Sequence, residues 1–457
     1  MPCNIYTKTT KINVPVQTAF QWHEQNGAID RLTPPWAPLK LVRRRGIGID
    51  NGVKVWFRLK IFHIPMLWVA QHTEYQKNVM FKDHQVKGPF SKWEHTHRFI
   101  PDGDDACYME DTVEFKLPLG WLSRPLYTFA RKEFDRMFTY RHRVLKQDLE
   151  HRFKDSKPKR ILISGASGTI GSVLVPYLKT NGHQVIRLVR KKGLLQEDEL
   201  FWDPYQGELD LEKTAPFDVV INLNGVDISR GTWTQKQKKK IIDSRIIPTF
   251  LLVEKIKRLA IKPRVFISSS AIGYYGEGGD AVLEESHGPG DSFISTVCDL
   301  WEDASVDAHK SGIRTVMLRI GVVLTPAGGA LKRMELPFKA GLGVRLSHGR
   351  QYMSWISMDD AISGIMHIIH HPEIEGPVNL TAPNPVTNRV FSDTLAKVFS
   401  KKVYFVMPAF IAKLLWGQMG KETLLTSARV IPKKLLSTGF LFQHERLICA
   451  LKDMMGR

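Results

Sequence analysis

Three glycines, Gly165, Gly168 and Gly171, stand between two apolar stretches. Before them Ile161-Leu162-Ile163 reads as a fully buried parallel strand. After them Ser172-Val173-Leu174-Val175-Pro176-Tyr177-Leu178 has the apolar spacing of a helix. Glycines so placed act through the backbone: Gly165 permits a tight turn, Gly168 lets a diphosphate approach the main chain, and Gly171 lets helix and strand pack closely. Amides in the first turn of a helix have no intrahelical acceptor, and the helix dipole favours negative charge there. The turn, with Ser167, Thr169 and Ile170 between its glycines, is a candidate phosphate cradle. A glycine-rich turn of some other α/β fold is the competing reading, and the flanking strand and helix weigh against it.

The next strand, His183 to Arg190, ends about 20 residues after the turn, where a site for a free ribose 2′-hydroxyl places an Asp or Glu. This chain has Arg190-Lys191-Lys192 and no acid until Glu197. A guanidinium suits a 2′-phosphate, so the cofactor expected is NADP. A solvated basic loop is the alternative.

The chain has 457 residues, room for two or three domains, with the composition of an ordinary globular protein. Cys3, Cys107, Cys298 and Cys449 are scattered, which argues for a reducing compartment and against structural zinc. The N-terminus has no signal-peptide core, and the apolar stretches Ile61 to Ala70 and Tyr404 to Trp416 fall short of the roughly 20 residues a spanning helix needs. A cytoplasmic protein without an integral membrane segment is expected. The net charge of +19 is shared by both halves of the chain, and its basic runs (Arg43 to Arg45, Lys236 to Lys240) are short. They read as solvated faces, so no nucleic-acid partner is expected.

The elements that position the glycine turn begin near residue 160. Phe217 to Leu223 is a buried strand followed by Asn224-Gly225; helices follow at Thr234 to Ile246 and, after Pro248, Thr249 to Leu259. Arg264 to Ser270 is a strand, Leu300 to Ser311 a helix, and Thr315 to Arg319 another strand. Alternation at this spacing indicates a doubly wound parallel sheet, whose ligands sit beyond the strand carboxyl ends. Asn224, Gly225 and Ser268 come at such ends and join the candidate cofactor set, with Arg190.

Residues 1–153 read differently. A strand (Asn4 to Val14) and a helix (Pro15 to Leu32) precede strands at Lys40–Arg44, Gly52–Phe62, Pro65–Tyr75, Val79–Val86, Lys92–Pro101 and Cys107–Lys116. A long helix, Ser123 to Arg152, closes the unit, and 154–159 is a polar linker. This order resembles the helix-grip fold of the START and polyketide-cyclase-like superfamily, which implies an apolar ligand cavity. Trp22, Trp36, Trp56, Trp68 and Trp93 either line such a cavity or fill the core. His95 and His97 share one face of a strand, but with no third ligand nearby in sequence they read as ordinary sheet-surface histidines, and no metal is expected.

From about residue 160 to the end the chain resembles the extended short-chain dehydrogenase/reductases, in particular the epimerase-like branch known as cell-division-inhibitor homologues. The stretches that carry this are Gly165 to Gly171, Trp202-Asp203-Pro204, Ile221 to Gly225, Ser268 to Gly276, Val297 to Glu302, Leu318 to Leu324, Ser354 to Asp360, Asn379 to Pro383, Arg429 to Pro432 and Gly439-Phe440. The resemblance implies a Rossmann-type α/β domain over 160–457, with a small C-terminal substrate lobe from about residue 325. It also implies a tyrosine that exchanges a proton with substrate, a lysine four residues later that lowers its pKa, and an orienting serine. If Glu302 matches the glutamate that usually follows that lysine, the tyrosine and lysine positions fall on Ile294 and Cys298, which cannot do this work. Ser270 matches the serine, and Tyr274 or Tyr275 is either a displaced acid or a structural tyrosine.

Two functions stand open at this stage. One is an NADP-dependent oxidoreductase or epimerase acting on a small molecule with Ser270, Tyr274 and Tyr275 as its catalytic set. The other is a non-catalytic NADP-binding protein that regulates a protein partner, its N-terminal domain carrying a lipid-like ligand.

Overall fold

A computed structural model of the chain describes residues 3–61, 64–118, 123–150, 157–229 and 231–457. They form two compact units, one of Met1–Ser156 with Val175–Gly182 and Gly456–Arg457, the other of the remainder. Among the described residues no helix is long and apolar enough to cross a membrane.

The first unit is built by alternation. Its strands are β1 (Asn4–Ile12), β2 (Leu39–Arg45), β3 (Lys54–Ile61), β4 (Ile64–Gln76), β5 (Met80–Lys87), β6 (Lys92–Pro101) and β7 (Cys107–Lys116), with helices α1 (Val16–Glu24), α2 (Ala28–Arg31) and α3 (Arg124–Glu150). They form one antiparallel sheet of order β1-β7-β6-β5-β4-β3-β2. Every second residue of β7 is buried, as one covered face demands. Phe20 and Trp22 of α1 pack with Phe99 of β6, Met109 of β7 and Val144, Leu145 and Leu149 of α3. Each such side chain contributes roughly 1.5–3 kcal/mol on burial.

Two readings of this region need correction, and one left open divides. The expected single helix over Pro15–Leu32 is two, α1 and α2, because Gly27 at φ 112° turns the chain between them. Between the two readings left open for the five tryptophans, Trp22 lies in the core, and Trp68 and Trp93 line a cavity of about 120 Å³, Trp93 also packing in an apolar cluster with Phe115 and Phe134. His95 and His97 are not sheet-surface residues: their face of β6 turns inward, and each is only 3% exposed. The expected end of the long helix at Arg152, and the linker up to residue 156, lie outside the described residues.

The second unit holds β8 (Arg160–Ser164), the first turn of α4 (Gly171–Thr180), β9 (Gln184–Val189), β10 (Glu199–Asp203), β11 (Glu208–Leu209), β12 (Val219–Asn222), α5 (Gln235–Ile256), β13 (Val265–Ala271), α6 (Phe293–Asp303), β14 (Arg314–Ile320) and β15 (Gly376–Leu380). The sheet order is β11-β10-β9-β8-β12-β13-β14-β15, parallel throughout except for the β10–β11 edge. The order reverses between β8 and β12, the switch point of a Rossmann-type fold. Four consecutive buried residues in β8 and in β12 reflect cover on both faces.

The helices expected on either side of Pro248 are one, α5, with the proline inside it. Burial of Ile241, Leu252, Val253 and Ile256 carries the helix past a residue that lacks an amide proton, and the Thr249 hydroxyl donates to the Arg245 carbonyl at 2.6 Å. The helix expected at Leu300 starts at Phe293, capped by Ser292, whose Oγ accepts from the Ser295 amide at 3.1 Å. A break after Asp303 separates it from a short helix over Val306–Lys310. Beyond β14, helices Gly329–Lys339, Asn388–Val398 and Leu447–Met455 surround a core that includes Leu331, Trp355, Phe391 and Leu451.

Candidate nucleotide site

At the end of β8, Gly165 takes φ 73°, and a Cβ there would sit 2.5 Å from the Leu223 carbonyl oxygen. Only glycine meets both conditions. At Gly171 a Cβ would come within 2.3 Å of the Gly165 carbonyl, so α4 starts hard against the turn that precedes it. Around Gly168 the one close atom is the Gly165 carbonyl oxygen, 3.1 Å from a built Cβ, and Ser167, Gly168 and Thr169 are exposed. A diphosphate fits against such a surface. Ile170 accepts the amide of Leu174 at 2.9 Å and so fixes the first turn of α4. In Gly171→Ala the start of α4 must shift, which should cost roughly 1–3 kcal/mol of stability and weaken nucleotide binding. Thermal melts beside calorimetric titration would measure both.

A seam of polar groups ties the strand ends together. The Ser164 hydroxyl donates to Asn222 Oδ1 at 2.9 Å, and Asn224 Nδ2 donates to both Ser164 Oγ and Asn222 Oδ1 at 2.6 Å. Asn222 Nδ2 reaches Thr249 Oγ1 at 2.7 Å and Ser268 Oγ at 3.3 Å. Ser164, Asn222 and Ser268 are buried, so these bonds keep them from being stranded without water. Asn224 and Ser268 thus share one network, while Gly225 is exposed and packs against Arg245, whose Cζ lies 3.2 Å from a built Cβ. Arg190 stands exposed just past β9. Next to it Lys192 reaches Glu208 at 3.3 Å.

The candidate catalytic residues meet around a buried ion pair. Arg319 of β14 forks onto Glu302 of α6, with Nε on Oε1 and Nη2 on Oε2, both at 2.9 Å. Ser270 donates to Glu302 Oε1 at 2.7 Å. Tyr275 donates to Asn379 Oδ1 at 2.6 Å and accepts from Arg319 Nη1 at 3.0 Å. The Arg319 guanidinium lies 3.5 Å from the ring centroid of Tyr274. Burial works against the charge on Arg319, but the hydrogen bonds and charge of Glu302 outweigh it and hold its pKa above the ordinary value. Burial pushes the Tyr275 phenol up to about 12 and also raises Tyr274, against the opposing pull of Arg319.

Ile294 and Cys298 pack in the apolar cluster that holds both tyrosines, with Ile294 Cγ1 3.1 Å from a Cβ built on Gly273. Burial raises the Cys298 thiol to about 12, so it is neutral. Arg319, Asn379 and Glu285, whose Oε1 accepts the Asn379 amide at 3.1 Å, are site neighbours that sequence reasoning missed. The available signal was Arg319 itself, a cation following the apolar run Val316-Met317-Leu318 in a strand.

Glycine turn, strand order and switch point together define an NAD(P)-binding Rossmann-type domain. Residues 161–380 match the model of the NAD dependent epimerase/dehydratase family, and 407–454 match a domain of unknown function, DUF1731. An epimerase family protein of Mycobacterium bovis is 40% identical over 287 residues, covering 63% of this chain and 94% of its own. One from Bacillus subtilis is 33% identical over 301 residues. The chain belongs to the NAD dependent epimerase/dehydratase family. A nucleoside-diphosphate sugar epimerase from Corynebacterium glutamicum superposes with TM-score 0.81 at 28% identity, over 99% of this chain and 90% of that one. A human epimerase family protein, solved with NADPH, gives TM-score 0.58 at 29% identity, over 65% of this chain and 98% of its own.

Proposed function

We propose that the chain binds NADP(H) at the Gly165–Gly171 turn and acts as an oxidoreductase or epimerase on a small molecule yet to be identified. The observation that carries this is the exposed, side-chain-free cradle at the switch point, with Arg190-Lys191-Lys192 beyond β9 where an acid would select the free ribose. Turn amides hold the diphosphate, Arg190 meets the 2′-phosphate, and Asn224, Gly225 and Ser268 shape the adjoining strand ends. The bound nicotinamide supplies hydride exchange with a substrate carbinol carbon.

The chain's own part is the proton. Tyr274 donates it to the substrate oxygen; burial raises its phenol, and the Arg319 guanidinium over its ring pulls the other way, toward the range where proton transfer is easier. Ser270 and Tyr275, held by Glu302, Asn379 and Arg319, position it. Residues from about 325 onward supply the substrate lobe, and the N-terminal unit is a helix-grip domain whose cavity takes an apolar ligand. That the relatives are epimerase family proteins supports this reading over a non-catalytic regulator.

Calorimetry on the full chain tests the cofactor assignment. NADPH should bind more tightly than NADH, and Arg190→Ala should weaken NADPH about 10–100-fold, the worth of one charge-assisted contact, while leaving NADH unchanged. Equal affinities would remove the NADP preference, and no heat with either would remove the whole reading. Once a substrate is found, Tyr274→Phe should lower NADPH turnover about 10²–10⁴-fold; full turnover in that variant would place the acid elsewhere.

A further inference from the structure

We propose that the N-terminal sheet holds a divalent transition-metal ion, bound by Asp83, His95 and His97 at the wall of the cavity. Asp83 lies on β5 and the two histidines on β6, with Asp83 directly opposite His95 in the register. One ligand atom from each lies within 4.8 Å of the others. His95 Nδ1 is 3.4 Å and His97 Nε2 is 3.8 Å from Asp83 Oδ2. Both separations exceed a good N–H···O bond. They are close to the roughly 3.3 Å edge of a tetrahedron whose centre is a zinc-sized ion with about 2.0 Å bonds.

The other side of each ring explains the orientation. His95 Nε2 is hydrogen-bonded to Asp111 Oδ1 on β7 at 3.1 Å, and His97 Nδ1 lies 2.6 Å from the same oxygen but without the alignment of a hydrogen bond. Asp111 Oδ2 in turn meets His142 Nε2 of α3 at 2.9 Å, and His142 Nδ1 meets Thr10 Oγ1 of β1 at 2.8 Å. A carboxylate that takes the N–H of a ring turns the lone pair of its other nitrogen toward the ion, and this outer support is general for metal-bound histidine. In His95 the nitrogen left over faces Asp83, and His97 turns its Nε2 the same way. Lone pairs set against a carboxylate repel, and a cation between them removes the conflict.

A second observation points the same way. His72 Nδ1 on β4 and His23 Nε2 on α1 are buried without a hydrogen-bond partner, and both residues line the same cavity. Buried polar atoms ordinarily have partners. Neither belongs to the ligand cluster itself, but each lines the cavity beside it and is available to a water or small ligand on an open coordination position. Imidazole and carboxylate donors suit Zn(II), Fe(II) and Co(II) over the hard alkaline-earth ions.

The test uses the full chain, stripped with chelator and titrated with Co(II), then Zn(II). The expected result is one Co(II) per chain with the visible bands of a low-symmetry four- or five-coordinate ion, displaced by Zn(II), and a higher melting temperature with Zn(II). Absorption spectroscopy at the metal edge should find two imidazoles and a carboxylate oxygen. Asp83→Asn should weaken Co(II) at least 10-fold, the low end of what loss of an outer partner alone would cost, whereas His371→Gln, away from the cluster, should not. Failure of the folded, stripped chain to take up either ion overturns the proposal, since the groups would then be joined by protons. A metal-edge spectrum without two imidazoles overturns it too, and remains decisive if Asp83→Asn does not fold.

Discussion

In Arg319→Met the free energy of unfolding should fall by about 3–5 kcal/mol, the usual cost of leaving one half of a buried ion pair behind. Glu302 would lose both guanidinium bonds while still inside the protein, and Tyr275 would lose a donor. The pair is well enclosed, with side chains 3% and 9% exposed. Urea unfolding at neutral pH measures the loss. Combining Arg319→Met with Glu302→Gln should recover part of it, because the stranded charge is gone. A loss below about 1 kcal/mol in the single variant would reduce the pair to the standing of a surface salt bridge.

Stability should also fall as pH rises from about 6.5 to 9, through His444. Burial disfavours its charged form, but Asp360 and Asp453 outweigh that and raise its pKa to about 9. A group whose folded pKa lies above its unfolded value stabilises fully below the unfolded one, about 6.5, and loses that contribution as pH passes the folded value. The span corresponds to about 3 kcal/mol, trimmed by the 38% exposure of Asp453. His444 Nε2 lies 2.9 Å from Asp453, while Asp360 accepts the amides of Gln443 and His444 at 2.7 and 3.1 Å. Thermal melts across this range should slope downward in the native chain and flatten in His444→Gln. Parallel slopes in the two would remove His444 from the titration.

Local pattern made much of the fold legible. The ends of β6 and β7 fall on the residues that alternation marks, Lys92–Pro101 and Cys107–Lys116, because one face of each is covered and the other is not. Helix ends were harder where a single residue decides, as Gly27 does between α1 and α2 and Ser292 does before α6. The glycine turn was readable because backbone constraints leave a trace in residue type. The partners of Ser270 and Tyr275 were not, since Glu302, Arg319 and Asn379 come from three separate elements. In the same way Asp83 belongs to His95 only through cross-strand register, which no spacing along the chain reveals.

Five of the six pairings in the antiparallel sheet join consecutive strands, but β1 pairs with β7. The first of these seven strands in chain order therefore bonds to the last. A sheet growing during synthesis can zip from β2 to β7 through short connections while Asn4–Ile12 waits. Closing that long loop costs only logarithmically more free energy than closing a short one, but such distant contacts form slowly. Docking of β1 is thus the step that completes this sheet in the newborn chain.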